Sequence, residues 1–263
     1  LPTVVSAAVI GRPANNLGLV AYWPLDEGRG TQAADVSGNK KHGVISGSPP
    51  WVAGQRGRAI QFGTSLNQYI DSGTIAALNN ATRATTCAYI RKAAAGDQVS
   101  FGADNVTAFQ GFGLEWASDG NVYFEADTDG SQYASVAHPG AGWHHLCMVF
   151  DGSQAGNARL LLYVDGISQS ASYNSTPPAA LATNAQMGSF VIGSDISSGA
   201  SVGTIDEVRL YSRALNATEV ASLYRSGGST FVSSSVSLSG DGLLKSGLVG
   251  HWTLDSQNVT TSI

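Results

Sequence analysis

The most chemically suggestive residues in the sequence are three carboxylates spaced two residues apart. Glu125, Asp127 and Asp129 alternate along a short strand-like run, and alternate residues of a strand point to the same face of a sheet. Two carboxyl groups that flank a glycosidic bond can act as nucleophile and general acid/base. Asp129, however, is followed by Gly130, a pair that is typical of a turn. The pattern therefore favours a solvated acidic strand end, with glycoside hydrolysis as the alternative.

A second group of residues could bind a ligand without catalysis. Trp116 and Tyr123 flank a polar turn at 118–121. Exposed aromatic rings beside Asp and Asn side chains can stack on a sugar ring and hydrogen-bond its hydroxyl groups. The candidate ligand-binding residues are therefore Trp116, Asp119, Asn121 and Tyr123. The alternative is that both rings are core residues of a hairpin.

The other reactive side chains form no motif for catalysis or for a transition metal. His144 and His145 are adjacent, so on a strand they point to opposite faces and cannot share a metal ion. No spacing typical of a zinc site, a serine nucleophile or a phosphate-binding loop occurs. Cys87 and Cys147 are the only cysteines, and each lies in a strand-like run. They are either two buried thiols or a disulfide between neighbouring strands.

The surface around these residues must be polar but weakly charged. Only 13% of the 263 residues are charged, the net charge is −5, and no Lys/Arg cluster is present. Nucleic acid and anionic membrane surfaces are therefore poor partners. No apolar run approaches the roughly 18 residues that a membrane span needs. A surface built mainly of Ser, Thr, Asn, Gln and Gly is common in extracellular β-proteins.

Short strands separated by tight turns must position the candidate residues. Asp-Gly pairs recur at 119–120, 129–130, 151–152, 165–166 and 241–242. Many short strands with regular turns predict an all-β sandwich or barrel. The pair at 165–166 suits a type I′ hairpin, in which both central residues have positive φ.

One short helix is predicted near the end of the strand-rich region. Asn216 can cap it, and Glu219, three residues later, completes a capping box. Three apolar residues then share one face of the helix, namely Val220, Leu223 and Tyr224. Gly227-Gly228 would end it.

The sequence also contains a partial internal repeat. GLVAYWPLD at 18–26 returns as GLVGHWTLD at 247–255, with six of nine positions identical. Residues 227–246 are rich in Ser and Gly and are interpreted as a linker. The segment 247–263 is too short for another sandwich. It is the start of a second repeat in a tandem array, a strand donated to another copy to form a homo-polymer, or a strand docked on its own domain.

Six segments in chain order resemble the laminin-G-like jelly-roll family of the concanavalin A-like lectin/glucanase superfamily. They are GLVAYWPLDEG at 18–28, DVSGNKKHG at 35–43, GRAIQF at 57–62, WHHLCMVFDG at 143–152, LYVDG at 162–166 and GTIDEVRLYSRAL at 203–215. The resemblance implies an all-β fold, a jelly-roll sandwich of two antiparallel sheets over 18–226, with 1–17 as an N-terminal extension. It also implies an extracellular or cell-surface module that binds glycan or protein, or acts as a spacer or adhesin.

The resemblance further implies a structural calcium ion. In sandwich relatives an aspartate of the last core strand ligates calcium, and oxygens of an early loop complete the shell. Asp206 matches that aspartate, and the looser assignments are Asp26 and Asn39. Oxygen-rich loops suit Ca²⁺, which takes about six to eight oxygen ligands. The alternative for Asp206 is a salt bridge with Arg209 or Arg213.

These observations together predict a non-catalytic extracellular module. We expect a structural or adhesive unit with carbohydrate binding, from a tandem array or a self-assembling surface protein. The alternative is a glycoside hydrolase of the laminarinase or lichenase type. Such enzymes carry glutamates at both ends of the catalytic face, whereas this chain has Glu125 at one end and Asp129 at the other. The family's strand order also places Cys87 and Cys147 in one sandwich, and an oxidising compartment would permit their disulfide.

Overall fold

A computed structural model describes residues 16–226, apart from 64, 66, 93–97, 106–109, 138 and 194–200. The linker at 227–246, the repeat segment at 247–263 and nearly all of the 1–17 extension lie outside these residues. The domain boundaries and the arrangement of the repeat segment therefore stay predictions, as does the end of the helix at Gly227-Gly228.

The described residues form seventeen short strands. The first eight are β1 Leu19–Trp23, β2 Gln32–Ala33, β3 Gly43–Ser46, β4 Trp51–Ala53, β5 Arg58–Phe62, β6 Tyr69–Asp71, β7 Arg83–Lys92 and β8 Val99–Asn105. The others are β9 Gln110–Trp116, β10 Val122–Ala126, β11 Tyr133–Val136, β12 His144–Asp151, β13 Leu160–Val164, β14 Ile167–Ser168, β15 Ser172–Tyr173, β16 Phe190–Gly193 and β17 Gly203–Tyr211. Two α-helices are also present in these ranges: α1 Asn184–Met187 lies between β15 and β16, and α2 Ala217–Ser226 lies after β17.

The strands form two antiparallel sheets that pack face to face. The eight-stranded sheet has the order β14-β13-β12-β7-β17-β5-β4, with β1 also paired to β17. The nine-stranded sheet has the order β15-β11-β10-β9-β8-β16-β6-β3-β2. This architecture confirms the predicted all-β jelly-roll sandwich. The four-residue helix α1 is an addition to the single C-terminal helix that the sequence predicted.

β17 is the central strand of the eight-stranded sheet. β7 pairs along one edge of β17, while β5 and β1 share the other edge in succession. A bulge between Asp206 and Arg209 shifts the register, and Glu207 takes a φ of 57° there. Ile205 and Val208, on either side of the bulge, remain in the core. The extra residue therefore turns both acidic side chains to the outer face of the sheet.

The core lies between the two sheets and is rich in aromatic side chains. Trp23 is completely buried and stacks on Phe190 with ring centroids 5.5 Å apart. Its indole nitrogen donates to the Lys41 carbonyl oxygen at 2.7 Å, so its only polar atom is satisfied. Ala21 and Leu25 are also fully buried in this core.

Helix α2 covers part of the outer face of the eight-stranded sheet. The Asn216 side chain accepts from the Glu219 backbone N–H, and the Glu219 carboxylate accepts from the Asn216 N–H. This reciprocal pair confirms the predicted capping box. Val220 and Leu223 are buried in a small cluster on that face, whereas Tyr224 is 37% exposed. The cluster consists of Cys87, Cys147, Val149, Tyr163, Tyr211, Leu215, Val220 and Leu223.

The predicted hairpin turn is also present. Asp165 and Gly166 have φ values of 51° and 78° between β13 and β14, as a type I′ turn requires. The Asp165 carboxylate accepts from the His145 backbone N–H and lies 2.8 Å from Nδ1 of His144. Within the described ranges, no helix is long and apolar enough to cross a membrane.

Replacing Trp23 with Ala should lower the free energy of unfolding by about 3–5 kcal/mol, because it removes a fully buried ring from the core. Trp51→Ala is the matched control, since Trp51 is only half-buried on the edge strand β4. Urea denaturation of both variants checks the prediction. Equal losses for the two variants would contradict this core arrangement.

Candidate functional site

The turn between β9 and β10 carries a hydrogen-bonded group of polar and aromatic side chains. Asp119 is exposed, and its carboxylate accepts from the backbone N–H and the side-chain amide of Asn121 at 2.8 and 2.9 Å. The Tyr123 hydroxyl donates to the same carboxylate at 2.8 Å. These hydrogen bonds, above all that from the Asn121 backbone, lower the pKa of Asp119. The structure therefore brings together three of the four predicted ligand-binding residues.

Tyr133 joins this group, although the sequence analysis did not single it out. Its ring meets that of Tyr123 edge-to-face, with centroids 5.9 Å apart, and both rings are half-buried. Alternation along β11 could have identified it, because Ala134 and Val136 point inward and Tyr133 outward. We call Asp119, Asn121, Tyr123 and Tyr133 the turn cluster. It presents two aromatic rings beside an ionised acceptor on the outer face of the nine-stranded sheet.

Trp116 is not part of the turn cluster, so its prediction as a ligand-binding residue is wrong. Its side chain is 1% exposed and lies in the core. In the β9–β10 register Trp116 pairs with Val122, while Tyr123 pairs with Glu115. Residues that pair directly across two strands share a face. Trp116 therefore points inward with Val122, and only Tyr123 reaches the outer face.

The run at 125–129 is the end of a strand followed by a turn, as the sequence favoured, but its three carboxylates do not share one open face. Strand β10 ends at Ala126, and Asp127 is 2% exposed. Its carboxylate accepts from the backbone N–H groups of Asp129 and Gly130, both at 2.8 Å. Asp127 thus closes a turn. Of the three, Glu125 alone lies on the face of the sheet.

Asp206 and Asp26 both reach the turn at residues 54–58. The Asp206 carboxylate accepts from the backbone N–H of Arg56 at 2.8 Å, and that of Asp26 accepts from the N–H of Arg58 at 2.7 Å. Asp206 is fully buried, and its second carboxylate oxygen has no hydrogen-bond partner. Burial, with the nearby charges of Glu207 and Asp26, raises the pKa of Asp206 to about 7.

The salt bridge considered for Asp206 does not form. Arg209 pairs with Glu207 at 2.7 Å, and its guanidinium lies 4.1 Å from the centre of the Tyr22 ring. Arg213 pairs with Glu219 at 2.8 Å. The Tyr22 hydroxyl also donates to Glu207, so Arg209 and Tyr22 are partners of Glu207 and not of Asp206.

Asn39 lies away from Asp206, which corrects the third predicted metal ligand. Its side-chain amide donates to the carbonyl oxygens of Leu19 and Val20, both at 3.0 Å. Leu19 pairs with Tyr211 in β17, which is five residues further along that strand than Asp206. Asn39 therefore binds the beginning of β1 and not the region of Asp206.

The remaining pair of carboxylates fits a cation in part. No three His, Cys, Asp or Glu side chains converge for a metal within the described residues. Calcium accepts backbone carbonyls and water as further ligands, so Asp206 and Asp26 could hold one edge of such a site. The unpartnered, buried oxygen of Asp206 is the observation that supports a cation, because a buried carboxylate without compensation is costly.

Cys87 and Cys147 are joined by a disulfide. They are directly opposite each other in the register of β7 and β12, and their Cα atoms are 4.1 Å apart. This separation is well inside the roughly 7 Å beyond which a bridge cannot form. His145 is buried nearby, and burial together with the charge of Arg209 lowers its pKa to about 3.

A comparison with known protein families agrees with the fold described above. A laminin G model, described as the concanavalin A-like lectin/glucanases superfamily, matches residues 62–221. Since the match covers more than half of the 263 residues, the chain belongs to this superfamily. No curated protein matches the sequence.

Solved structures share the fold at low sequence identity. The binding domain of Paraclostridial Mosquitocidal Protein 1 is 16% identical, with a TM-score of 0.58 over 81% of this chain and 53% of that one. Trypanosoma rangeli sialidase in complex with sialic acid is 18% identical, with a TM-score of 0.56 over 86% and 35%. Domain 4 of AbnA, a GH43 extracellular arabinanase from Geobacillus stearothermophilus solved with arabinotriose, is 17% identical, with a TM-score of 0.53 over 78% and 98%. This chain therefore spans about half of the first protein and about a third of the second.

The charge on Asp206 should make the metal-free protein sensitive to pH. Its folded-state pKa of about 7 lies above the 3.8 of an ordinary aspartate. The unfolded chain therefore releases this proton first, and stability should fall as pH rises from about 4 to about 7 and then level off. In a chelator, Asp206→Asn should remove this fall. Thermal unfolding between about pH 5 and about pH 8 measures it.

Calcium should reverse this loss of stability at higher pH in the wild type but not in Asp206→Asn. At a concentration about a hundredfold above its Kd, a bound ion adds about 2.7 kcal/mol, which corresponds to several degrees in Tm. Asp206→Asn should not respond, while Asp129→Asn, a change in an exposed turn, should behave as wild type. A wild-type Tm that is indifferent to both chelator and calcium would rule the site out.

Proposed function

We propose that the chain is a non-catalytic extracellular adhesive module that recognises carbohydrate through the turn cluster. The observation that carries the proposal is the fixed arrangement of Asp119, Tyr123 and Tyr133 on an outer sheet face. Tyrosine rings offer an apolar surface to the C–H face of a sugar. The Asp119 carboxylate supplies an acceptor for sugar hydroxyl groups. Because its hydrogen bonds already hold it in place, little entropy is lost on binding.

The fold relatives support a binding role. The arabinanase domain was solved with arabinotriose, and the mosquitocidal fragment is a binding domain. The arabinanase domain is matched over nearly its whole length, so a unit of this size and fold can contact a sugar chain. A third solved structure with this fold is the receptor binding domain of a botulinum neurotoxin C/D mosaic serotype.

The proposed location outside the cell is supported by the disulfide and by the surface composition. The bond between Cys87 and Cys147 persists in oxidising compartments. Only 13% of the residues are charged, as in many secreted β-proteins. A structural calcium at Asp206 and Asp26 belongs to the same proposal, since calcium is plentiful outside cells. The last part of the proposal is that residues 247–263 link the module to a neighbouring unit or to a second copy of the chain.

Catalysis is not part of the proposal, because Glu125, Asp127 and Asp129 do not share one open face. A retaining glycosidase needs two carboxyl groups roughly 5 Å apart, and an inverting one roughly 6.5–9.5 Å, both facing the substrate. Asp127 is buried in its turn, whereas Glu125 lies on the sheet face. We expect no turnover of β-glucan by the purified chain, measured by release of reducing ends. Turnover that disappears in Glu125→Gln would establish the hydrolase alternative instead.

The binding proposal predicts that Tyr123→Ala weakens glycan binding by about tenfold, or about 1.4 kcal/mol, because a stacking surface is lost. Asp119→Ala should have a similar effect, since it removes both the acceptor and the hydrogen bond that orients Tyr123. A glycan array followed by titration calorimetry on any hit measures these changes.

Asp151→Ala provides the matched control. Asp151 also closes a turn, by accepting from Ser153 and Gln154, but it lies at the end of β12 in the other sheet. Its loss should leave glycan affinity unchanged. If no glycan binds, or if the Asp119 and Asp151 variants bind equally well, the turn cluster is not a carbohydrate site.

A further inference from the structure

The outer face beside the turn cluster continues toward the edge of the nine-stranded sheet as a row of small hydroxyl side chains. Tyr123 of β10 pairs with Ser135 of β11, and Ser135 pairs with Ser172 of β15. Residues that pair directly across two strands share a face. Ala134 and Val136, on either side of Ser135, are buried in the core, so the row lies on the outer face. We call Ser135 and Ser172 the serine pair.

Both hydroxyl groups of the serine pair are placed to meet a ligand. Ser135 is half-buried and Ser172 is exposed, and among the described residues neither hydroxyl forms a hydrogen bond. Tyr173, the next residue of β15, points to the other side, where it packs against the core and its hydroxyl donates to the Leu160 carbonyl oxygen at 2.6 Å. A serine hydroxyl can donate one hydrogen bond and accept others. The serine pair therefore matches the hydroxyl groups of a sugar.

The other side of Tyr123 has no comparable pair of hydroxyl groups. Glu115 of β9 pairs with Tyr123, and Ser100 of β8 pairs with Glu115. The Ser100 hydroxyl already donates to the Gly193 carbonyl oxygen at 2.8 Å. A ligand anchored on Tyr123 therefore finds uncommitted hydroxyl groups in the direction of β15.

The row from Tyr123 to Ser172 is longer than one sugar ring. The two residues are two strand spacings apart, about 10 Å. In the described sheet β15 is the last strand, so the row runs out to the edge of the sheet. A single sugar stacked on Tyr123 cannot also contact Ser172, whereas a chain of sugars laid across the strands can contact the whole row.

We propose that the site binds a linear oligosaccharide across β10, β11 and β15, with one sugar on the turn cluster and the following sugars on the serine pair. The inference rests on the proposed function, and it adds the class of ligand, which is a chain and not a single terminal sugar. The rings of Tyr123 and Tyr133 provide the stacking surface for the first sugar. Hydrogen bonds with Ser135 and then with Ser172 give the site its preference for longer chains and set their direction toward the sheet edge.

The test compares chain lengths within one type of sugar. Wild type is titrated by NMR with the disaccharide and the pentasaccharide of four neutral series, the fragments of arabinan, xylan, cellulose and β-1,3-glucan. In a series that binds, we expect the pentasaccharide to bind about tenfold more tightly than the disaccharide, because it fills the whole row.

Ser172→Val removes the outermost hydroxyl group of the row and adds bulk in its place. Valine is well suited to a strand, so the sheet should persist. The affinity for the pentasaccharide should fall by about two- to tenfold. The affinity for the disaccharide should stay that of wild type, because a disaccharide anchored on Tyr123 ends before β15. A misfolded variant could not keep that affinity.

Ser46→Val is the matched control. Ser46 lies at the end of β3 on the same outer face, since its neighbour Ile45 is buried in the core, and it is half-buried like Ser135. It is six strands from Ser135 in the sheet order, about 29 Å along the sheet. This change should leave the affinity for both sugars unaltered, and the comparison removes any general advantage of a longer ligand.

The outcomes separate the two levels of the proposal. If no member of the four series and no sugar on a wider glycan array binds, the proposed function fails. If wild type binds the two chain lengths alike, the inference about the serine pair fails and the binding function stands. The inference also fails if Ser172→Val leaves the pentasaccharide affinity unchanged, or if Ser46→Val lowers it as much.

Discussion

The bulge in β17 is the constraint on which the rest of the structure depends. A non-glycine residue with positive φ costs roughly 1–2 kcal/mol, and Glu207 takes that conformation in the middle of the central strand. The hydrogen bond from Tyr22 and the ion pair with Arg209 hold it there. Because one extra residue is inserted, Ile205 and Val208 both reach the core while Asp206 and Glu207 face outward. The same strand can then pair with β5 before the bulge and with β1 after it.

The two outer faces of the sandwich differ accordingly. On the eight-stranded sheet the outer face is covered by α2 and filled by a disulfide, a buried Glu–Arg pair and a neutral His145. The Glu–Arg pair is satisfied internally, whereas Nδ1 of His145 and one carboxylate oxygen of Asp206 have no hydrogen-bond partner. On the nine-stranded sheet the outer face carries half-buried tyrosines and acidic side chains within reach of solvent. Buried polar groups thus occupy one outer face, and the groups suited to a ligand lie on the other.

Local patterns in the sequence predicted the parts of the fold that depend on neighbouring residues. The Asp165-Gly166 turn and the Asn216–Glu219 capping box follow from backbone chemistry within a few residues, and both are present. The outward position of Tyr123 follows from alternation along β10. The sequence could not determine the face of Trp116, because that depends on the register of a hairpin whose turn residues allow either ring to point inward.

Other placements depended on hydrogen bonds and strand register that the sequence pattern did not show. Asp127 was assigned to a strand because its neighbours favour one, but hydrogen bonds from two backbone N–H groups make it the cap of a turn. The Asn39 side chain could bind a metal ion or the backbone. Only the folded position of β1 shows that its amide group donates to two backbone carbonyl oxygens. The position of the Glu125 side chain over Gly113, twelve residues earlier in the chain, depends on the register of β9 and β10.

The central claim is that ligand is bound on the outer face of the nine-stranded sheet and not on the face covered by α2. Hydrogen–deuterium exchange, measured with and without a saturating neutral oligosaccharide, tests it most directly. The account predicts slower exchange in the turn at 117–121 and in β10 and β11, with no change in α2 or β14. Protection confined to α2 and β14 would contradict it.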